Sequence, residues 1–105
     1  MTPELDIEQL RANAASAGAL LKALANPDRL LLLCQLSQGE RNVTEMEQLL
    51  GIQQPTLSQQ LAVLRREGLV ATRREGKQIY YRISSSEALA VITTLYQLFC
   101  ERGQQ

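Results

Sequence analysis

The chain has 105 residues, 45% of them hydrophobic and only 4% aromatic, enough for one domain that buries roughly two-thirds of its unfolded surface around leucine and alanine. Eleven basic residues balance eleven acidic ones, which argues against simple adhesion to nucleic acid, and no basic amino-terminal region leads into an apolar segment as in a signal peptide. No purely apolar run is longer than Leu30–Cys34, far too short to cross a bilayer, so the expected location is the cytoplasm, where two cysteines are not expected to form a permanent bridge.

In chain order, Leu5–Leu24 is predicted as a helix, with Leu10, Ala14, Ala17, Leu21 and Leu24 on one stripe. Ala15, Ser16, Gly18 and Ala19 keep its middle small, so another helix can approach closely, from within the fold or from a second subunit. A residue before proline is pushed out of helical geometry, so Asn26 ends this helix and Pro27 opens the next, Asp28–Ser37. That second segment is apolar nearly all round, the mark of a central buried helix. Ser37–Asn42, with Gly39, reads as a polar loop.

Val43–Leu50 (VTEMEQLL) is a short helical pattern with Val43, Met46, Leu49 and Leu50 apolar. The break GIQQ then leads straight into the stretch around which the chain is organised, Gly51–Gly68. Pro55 suits a first-turn position, which leaves Gln53 or Gln54 as the cap, a weaker choice than Ser or Asp. Leu57, Leu61 and Leu64 recur at i, i+4 and i+7, and Gly68 closes the helix. The opposite face carries Thr56, Gln59, Val63 and Arg66, with Ser58 on its flank. A solvated helix would carry Glu and Lys there, whereas amides and hydroxyls are what base edges in a major groove accept. Two short helices joined by a tight glycine-containing turn match a helix-turn-helix, whose second helix docks in that groove.

After Gly68 the period changes to two. Leu69–Arg74 and Gln78–Ile83 flank the tip Glu75-Gly76-Lys77 and read as a hairpin, which in this position is a wing. Ser84 and Glu87 are spaced as a capping box for a last helix running to about Glu101. Its broad apolar face (Ala88, Val91, Ile92, Leu95, Leu98, Phe99), widened by Leu89, Tyr96 and Cys100, exceeds what so small a core can cover, so part of it is expected to pack on a second chain. A twofold dimer would set two recognition helices about one turn of DNA apart. No repeat, low-complexity tract or linker divides the chain, and residues 1–105 are expected to form a single DNA-binding and dimerisation domain.

Charge is segregated along this order. Met1–Gln48 holds seven acidic residues against four basic ones, whereas Arg65–Arg82 holds six basic residues (Arg65, Arg66, Arg73, Arg74, Lys77, Arg82) against Glu67 and Glu75. The phosphate contribution depends on local cations, each contacted phosphate adding about 0.9 to the salt slope. A charge run of this kind is also compatible with a plain solvated face.

The order of elements, with LLKALANPDRLLLL, GIQQPTLSQQLAVLRREGLV and KQIYYRI, resembles the ArsR/SmtB family of dimeric winged-helix repressors over about Ala19 to Cys100. Within that family the chain looks most like the BigR-type branch, which responds to sulfide or persulfide through two cysteines, matched here by Cys34 and Cys100. The resemblance implies a mainly α winged helix-turn-helix with a β-hairpin wing: four helices, two strands and a fifth helix, paired as a homodimer through the first and last helices. It also implies that Gln54, Thr56, Ser58 and Gln59, around Pro55, reach the major groove, and that Arg73, Arg74 and Lys77 contact backbone or minor groove. Metal-sensing relatives carry a cysteine pair where this chain has Val43–Glu47, or His and Asp in the last helix. Here there is no histidine, and two cysteines are too few for a closed four-ligand zinc site, so neither a metal nor another cofactor is expected.

By themselves, Cys34 reads as a small buried hydrophobe and Cys100 as packing filler. The resemblance makes them a redox pair instead. A persulfide or polysulfide would modify the more accessible thiolate and the other cysteine would resolve it, tying the last helix to the second and weakening operator binding. A plain disulfide requires Cα atoms within roughly 4.4–6.8 Å, a limit that inserted sulfur atoms relax. The expected function is thus a sequence-specific repressor of a twofold operator with reactive sulfur as inducer. The alternatives are an anti-repressor or activator on the same fold, or a protein-interaction module with structural cysteines. An enzyme is not expected, because the chain lacks Cys-x-x-Cys and any histidine base.

Overall fold

Asp6 starts the first helix by accepting hydrogen bonds from the backbone N–H groups of Glu8 (2.9 Å) and Gln9 (3.4 Å). The computed structural model describes residues 6–101, without the side chain of Glu101, so Leu5, the expected first helical residue, lies outside the described residues. The elements are α1 (Ile7–Leu24), α2 (Pro27–Leu36), β1 (Arg41–Asn42), α3 (Val43–Leu50), α4 (Gln54–Arg66), β2 (Val70–Glu75), β3 (Gln78–Ile83) and α5 (Ser86–Tyr96), followed by a π-helical turn, Gln97–Glu101. This is the expected mainly helical chain with a hairpin wing, and among the described residues no helix is long and apolar enough to cross a membrane.

The core is aliphatic, as the composition requires. Leu32 and Leu33 of α2, Met46 of α3, Leu57, Leu61 and Leu64 of α4 and Ile92 of α5 are all fully buried. Each such side chain contributes about 1.5–3 kcal/mol relative to exposure. Helix α2 packs against both α4 and α5 and is the hub of the subunit. It is not buried all round, however, since Leu31 stays 46% exposed. Helix α1 differs more from expectation. Only its last turn, Ala23 and Leu24, is buried, while Leu10 and Leu21 of the predicted stripe lie open.

Two local differences have clear causes. The segment read as a polar loop ends in a two-residue strand, too short to show alternation, with Arg41 opposite Tyr81 and Asn42 opposite Tyr80. The sheet therefore has three antiparallel strands in the order β1-β3-β2. Asn42 also caps α3, its Oδ1 accepting from the Glu45 N–H (2.8 Å) while its own N–H donates to the Glu45 carboxylate (2.9 Å). The capping box expected at Ser84 and Glu87 does not form. The Ser84 N–H still donates to the Leu69 carbonyl, so the helix begins one residue later, with Ser85 Oγ accepting from the Ala88 N–H at 3.0 Å.

Candidate nucleic-acid interface and thiol pocket

The turn between α3 and α4 forms because Gly51 takes a left-handed conformation (φ 69°), which costs a residue without Cβ little. Gln53 is the cap of α4 and makes no side-chain hydrogen bond to it, the weak start expected, and Pro55 sits at the second helical position. With Leu57, Leu61 and Leu64 driven inward, Gln54, Pro55, Ser58 and Gln59 are exposed and Thr56 is half-buried. These residues share the first two turns of the helix. Arg65 and Arg66 do not join them. They are exposed in the last turn, roughly 15 Å farther along at 1.5 Å per residue, and Arg66 Nε lies 3.7 Å from Glu67.

The wing, β2 and β3, follows α4 directly in the chain. Its cations differ in kind. Arg73 Nε donates to both Glu40 carboxylate oxygens at 2.9 Å, its Nη1 donates to Glu75 at 2.7 Å, and the guanidinium lies 4.7 Å from the centre of the Tyr80 ring. Its hydrogen bonds to Glu75 and then to Glu40 raise its pKa beyond the ordinary arginine value. Arg73 thus fastens β2 to the segment before β1. Arg74 Nε reaches only the Gly76 carbonyl (3.3 Å), and Lys77 is exposed in the turn.

Sequence reasoning missed Arg29. Its Nε and Nη2 donate to the carbonyls of Ala23 and Lys22 at the end of α1, while Nη1 donates to Gln60 Oε1 of α4 at 2.9 Å. An arginine in a first helical turn looks like a surface charge, and no spacing rule marks partners 31 residues apart.

Cys34 is half-buried on α2, and Cys100 is exposed in the π-helical turn. Both thiols are free and not in contact, so the bridge implied by the resemblance is not formed. They line one cavity of about 240 Å³ whose remaining walls are Leu30, Ile92, Leu95, Tyr96 and Phe99. The reason is positional: Cys34 belongs to the packed hub, whereas Cys100 rides on a terminal turn that packs little. Burial, and secondarily the charge of Cys100, pushes the Cys34 thiol pKa up. Among the described residues no three His, Cys, Asp or Glu side chains cluster closely enough to share a metal ion.

The sequence profile described as "Bacterial regulatory protein, arsR family" matches residues 26–72, from the start of α2 into β2. The biofilm growth-associated repressor of Xylella fastidiosa is 47% identical over 103 residues, 98% of this chain and 90% of that protein. Its crystal structure, of the transcriptional repressor BigR, superposes with a TM-score of 0.83 at 48% identity, over 91% of this chain and 98% of that one. The transcriptional activator HlyU of Vibrio cholerae is 43% identical over 95% of this chain and 93% of that protein. The structure of its reduced form gives a TM-score of 0.85 over 89% of this chain and 98% of that one, at 45% identity. A homodimeric winged helix-turn-helix DNA-binding domain from Mycobacterium bovis gives 0.75 at 33% identity, over 97% of this chain and 93% of that one. Similar along nearly its whole length to transcriptional regulators rather than enzymes, and sharing their winged-helix fold, this chain belongs to the ArsR family of bacterial regulatory proteins.

Proposed function

We propose that this regulator is a cytoplasmic homodimeric repressor, a single domain in each subunit, that places its two α4 helices in successive major grooves of a twofold operator. The observation that carries this reading is the exposed row of Gln54, Ser58 and Gln59 above three buried leucines. Amide side chains there can pair with base edges, glutamine with adenine in two hydrogen bonds. Thr56 lies beside that row, Arg74 and Lys77 supply phosphate contacts from the wing, and Arg65 and Arg66 act at most through phosphates farther along. The bare stripe of α1 and the exposed Leu98 (48%) and Phe99 (75%) support pairing through the first and last helices. The test is a footprint on operator DNA at several salt concentrations. Gln59→Ala is expected to abolish it, and an unchanged footprint ends this reading.

Reactive sulfur is the proposed inducer. The exposed Cys100 thiolate attacks the outer sulfur of a persulfide RSSH, forming Cys100–S–SH and releasing RS⁻. The Cys34 thiolate then attacks Cys100 Sγ and expels HS⁻, so that the outer sulfur takes up two electrons and a Cys34–Cys100 disulfide forms. Closing the gap draws the terminal turn toward α2 and shifts the pairing helices. Operator affinity is expected to fall roughly 5- to 150-fold after polysulfide treatment, the usual range of allosteric coupling, and not in Cys34→Ser or Cys100→Ser. Unchanged wild-type affinity excludes the switch. A second reading, an activator that displaces another repressor from DNA, is favoured by the 43% identity to the transcriptional activator HlyU of Vibrio cholerae. Reporter expression in a deletion strain separates the two by sign.

A further inference from the structure

We propose that Arg29 is a positioning residue for DNA recognition: its guanidinium fixes the roll of α4 relative to α1, and with it which side chains face the base edges. Two features of the packing call for such a device. The three leucines that seat α4 are nondirectional contacts, and a row of them permits a helix to roll by small angles without losing burial. Beside Arg29 a cleft of about 380 Å³, lined by Ala19, Lys22, Val63, Arg66 and Glu67, opens between α1 and the last turns of α4, so close packing does not set the angle there.

The polar link supplies what packing omits. Arginine presents its donors in a rigid plane, and here that plane is gripped on one side by the end carbonyls of α1 and on the other by Gln60 Oε1 at 2.9 Å. Both carbonyls belong to the last turn of α1, where no i+4 partner follows, and that of Lys22 also accepts from the Ala25 N–H at 3.3 Å. Among the described residues this is the one hydrogen bond between an α4 side chain and another element, with Gln60 as acceptor. Gln60 is half-buried although its neighbours Ser58 and Gln59 are open, so its amide is turned toward the subunit and away from the face that carries them. Arg29 itself is held by the start of α2, its N–H donating to Asn26 Oδ1 at 3.1 Å.

The proposal rests on α4 being the groove helix, and a double-mutant cycle in operator binding tests both. Gln60→Leu and Arg29→Met are each expected to weaken operator binding about tenfold, the size of a lost hydrogen bond to a charged group, and the double variant no further. Binding to non-operator DNA, which depends on phosphates alone, is expected to stay unchanged, and Gln60→Leu is expected to remain folded at the temperature of the binding assay. Gln60→Glu, which still accepts from the guanidinium, is expected to retain operator binding, and Arg29→Lys, which keeps the charge without the fork, is expected to lose it. Losses that add, or wild-type operator affinity in Gln60→Leu while Gln59→Ala has lost it, overturn the Arg29 link alone. Wild-type affinity in Gln59→Ala overturns the reading of α4 as the groove helix and the link with it.

Discussion

Helices α4 and α5 are built to opposite plans. In α4 the whole leucine ridge is buried within its own subunit and the amides of Gln54 and Gln59 are left bare. In α5 and the turn after it, Ala88 and Ile92 are buried while Leu89, Leu98 and Phe99 are left open. A helix that hides its apolar side and shows hydrogen-bonding groups is prepared for a polar, patterned surface. A helix that shows apolar side chains after its own core is complete is prepared for another apolar surface. One subunit thus presents two faces of different chemistry.

Each side of that contrast can be broken separately. Leu61→Ala should be the most damaging, removing a buried side chain at a cost of about 2–5 kcal/mol, read as a lowered urea midpoint with DNA binding lost only through unfolding. Phe99→Asp should leave each subunit folded but convert the dimer to monomer in sedimentation. Operator affinity should then fall about 100-fold, because one half-site must bind alone. An unchanged sedimentation coefficient would place the second chain elsewhere. Lys77→Ala should lower the salt slope of operator binding by about 0.9, whereas Arg73→Ala should leave it unaltered, since Glu40 and Glu75 already occupy that guanidinium.

The smallest effect is chemical. Because burial raises the folded Cys34 pKa, a smaller fraction of Cys34 is thiolate at any given pH than in an unfolded chain, which makes the resolving step the slower one. Stability is therefore unaffected by this group below the ordinary cysteine pKa and falls as pH rises past it. Iodoacetamide at pH 7 should label Cys100 ahead of Cys34, with the difference narrowing in alkaline buffer. Equal rates at pH 7 would contradict the burial argument.

How much of this was legible in the sequence depends on range. Leu57, Leu61 and Leu64 declare their face through spacing alone, Pro55 marks a helix start, and Gly51 and Gly68 mark ends, because each of these acts within a turn or two. The Ser84 capping box failed for a nearby reason, a hairpin that keeps Ser84 one residue longer than its serine-rich neighbourhood suggests. Contacts across the fold were not legible. Arg73 has a sequence that says exposed wing cation, and only the approach of Glu40, 33 residues earlier, makes it a fastening. Arg29 and Gln60 likewise meet only once α1, α2 and α4 are assembled. The two cysteines were paired by resemblance, and the fold gives them a common cavity but no bond.

Asn42 belongs at once to the sheet, opposite Tyr80, and to the first turn of α3, through Glu45. A hinge between the hairpin and the helix pair would have to tear one of those two attachments, so the span from wing tip to α4 is settled before any duplex arrives. The ordering entropy of that span is met during folding rather than on contact with DNA, and rigidity of this sort favours tight binding at one groove spacing over accommodation of many.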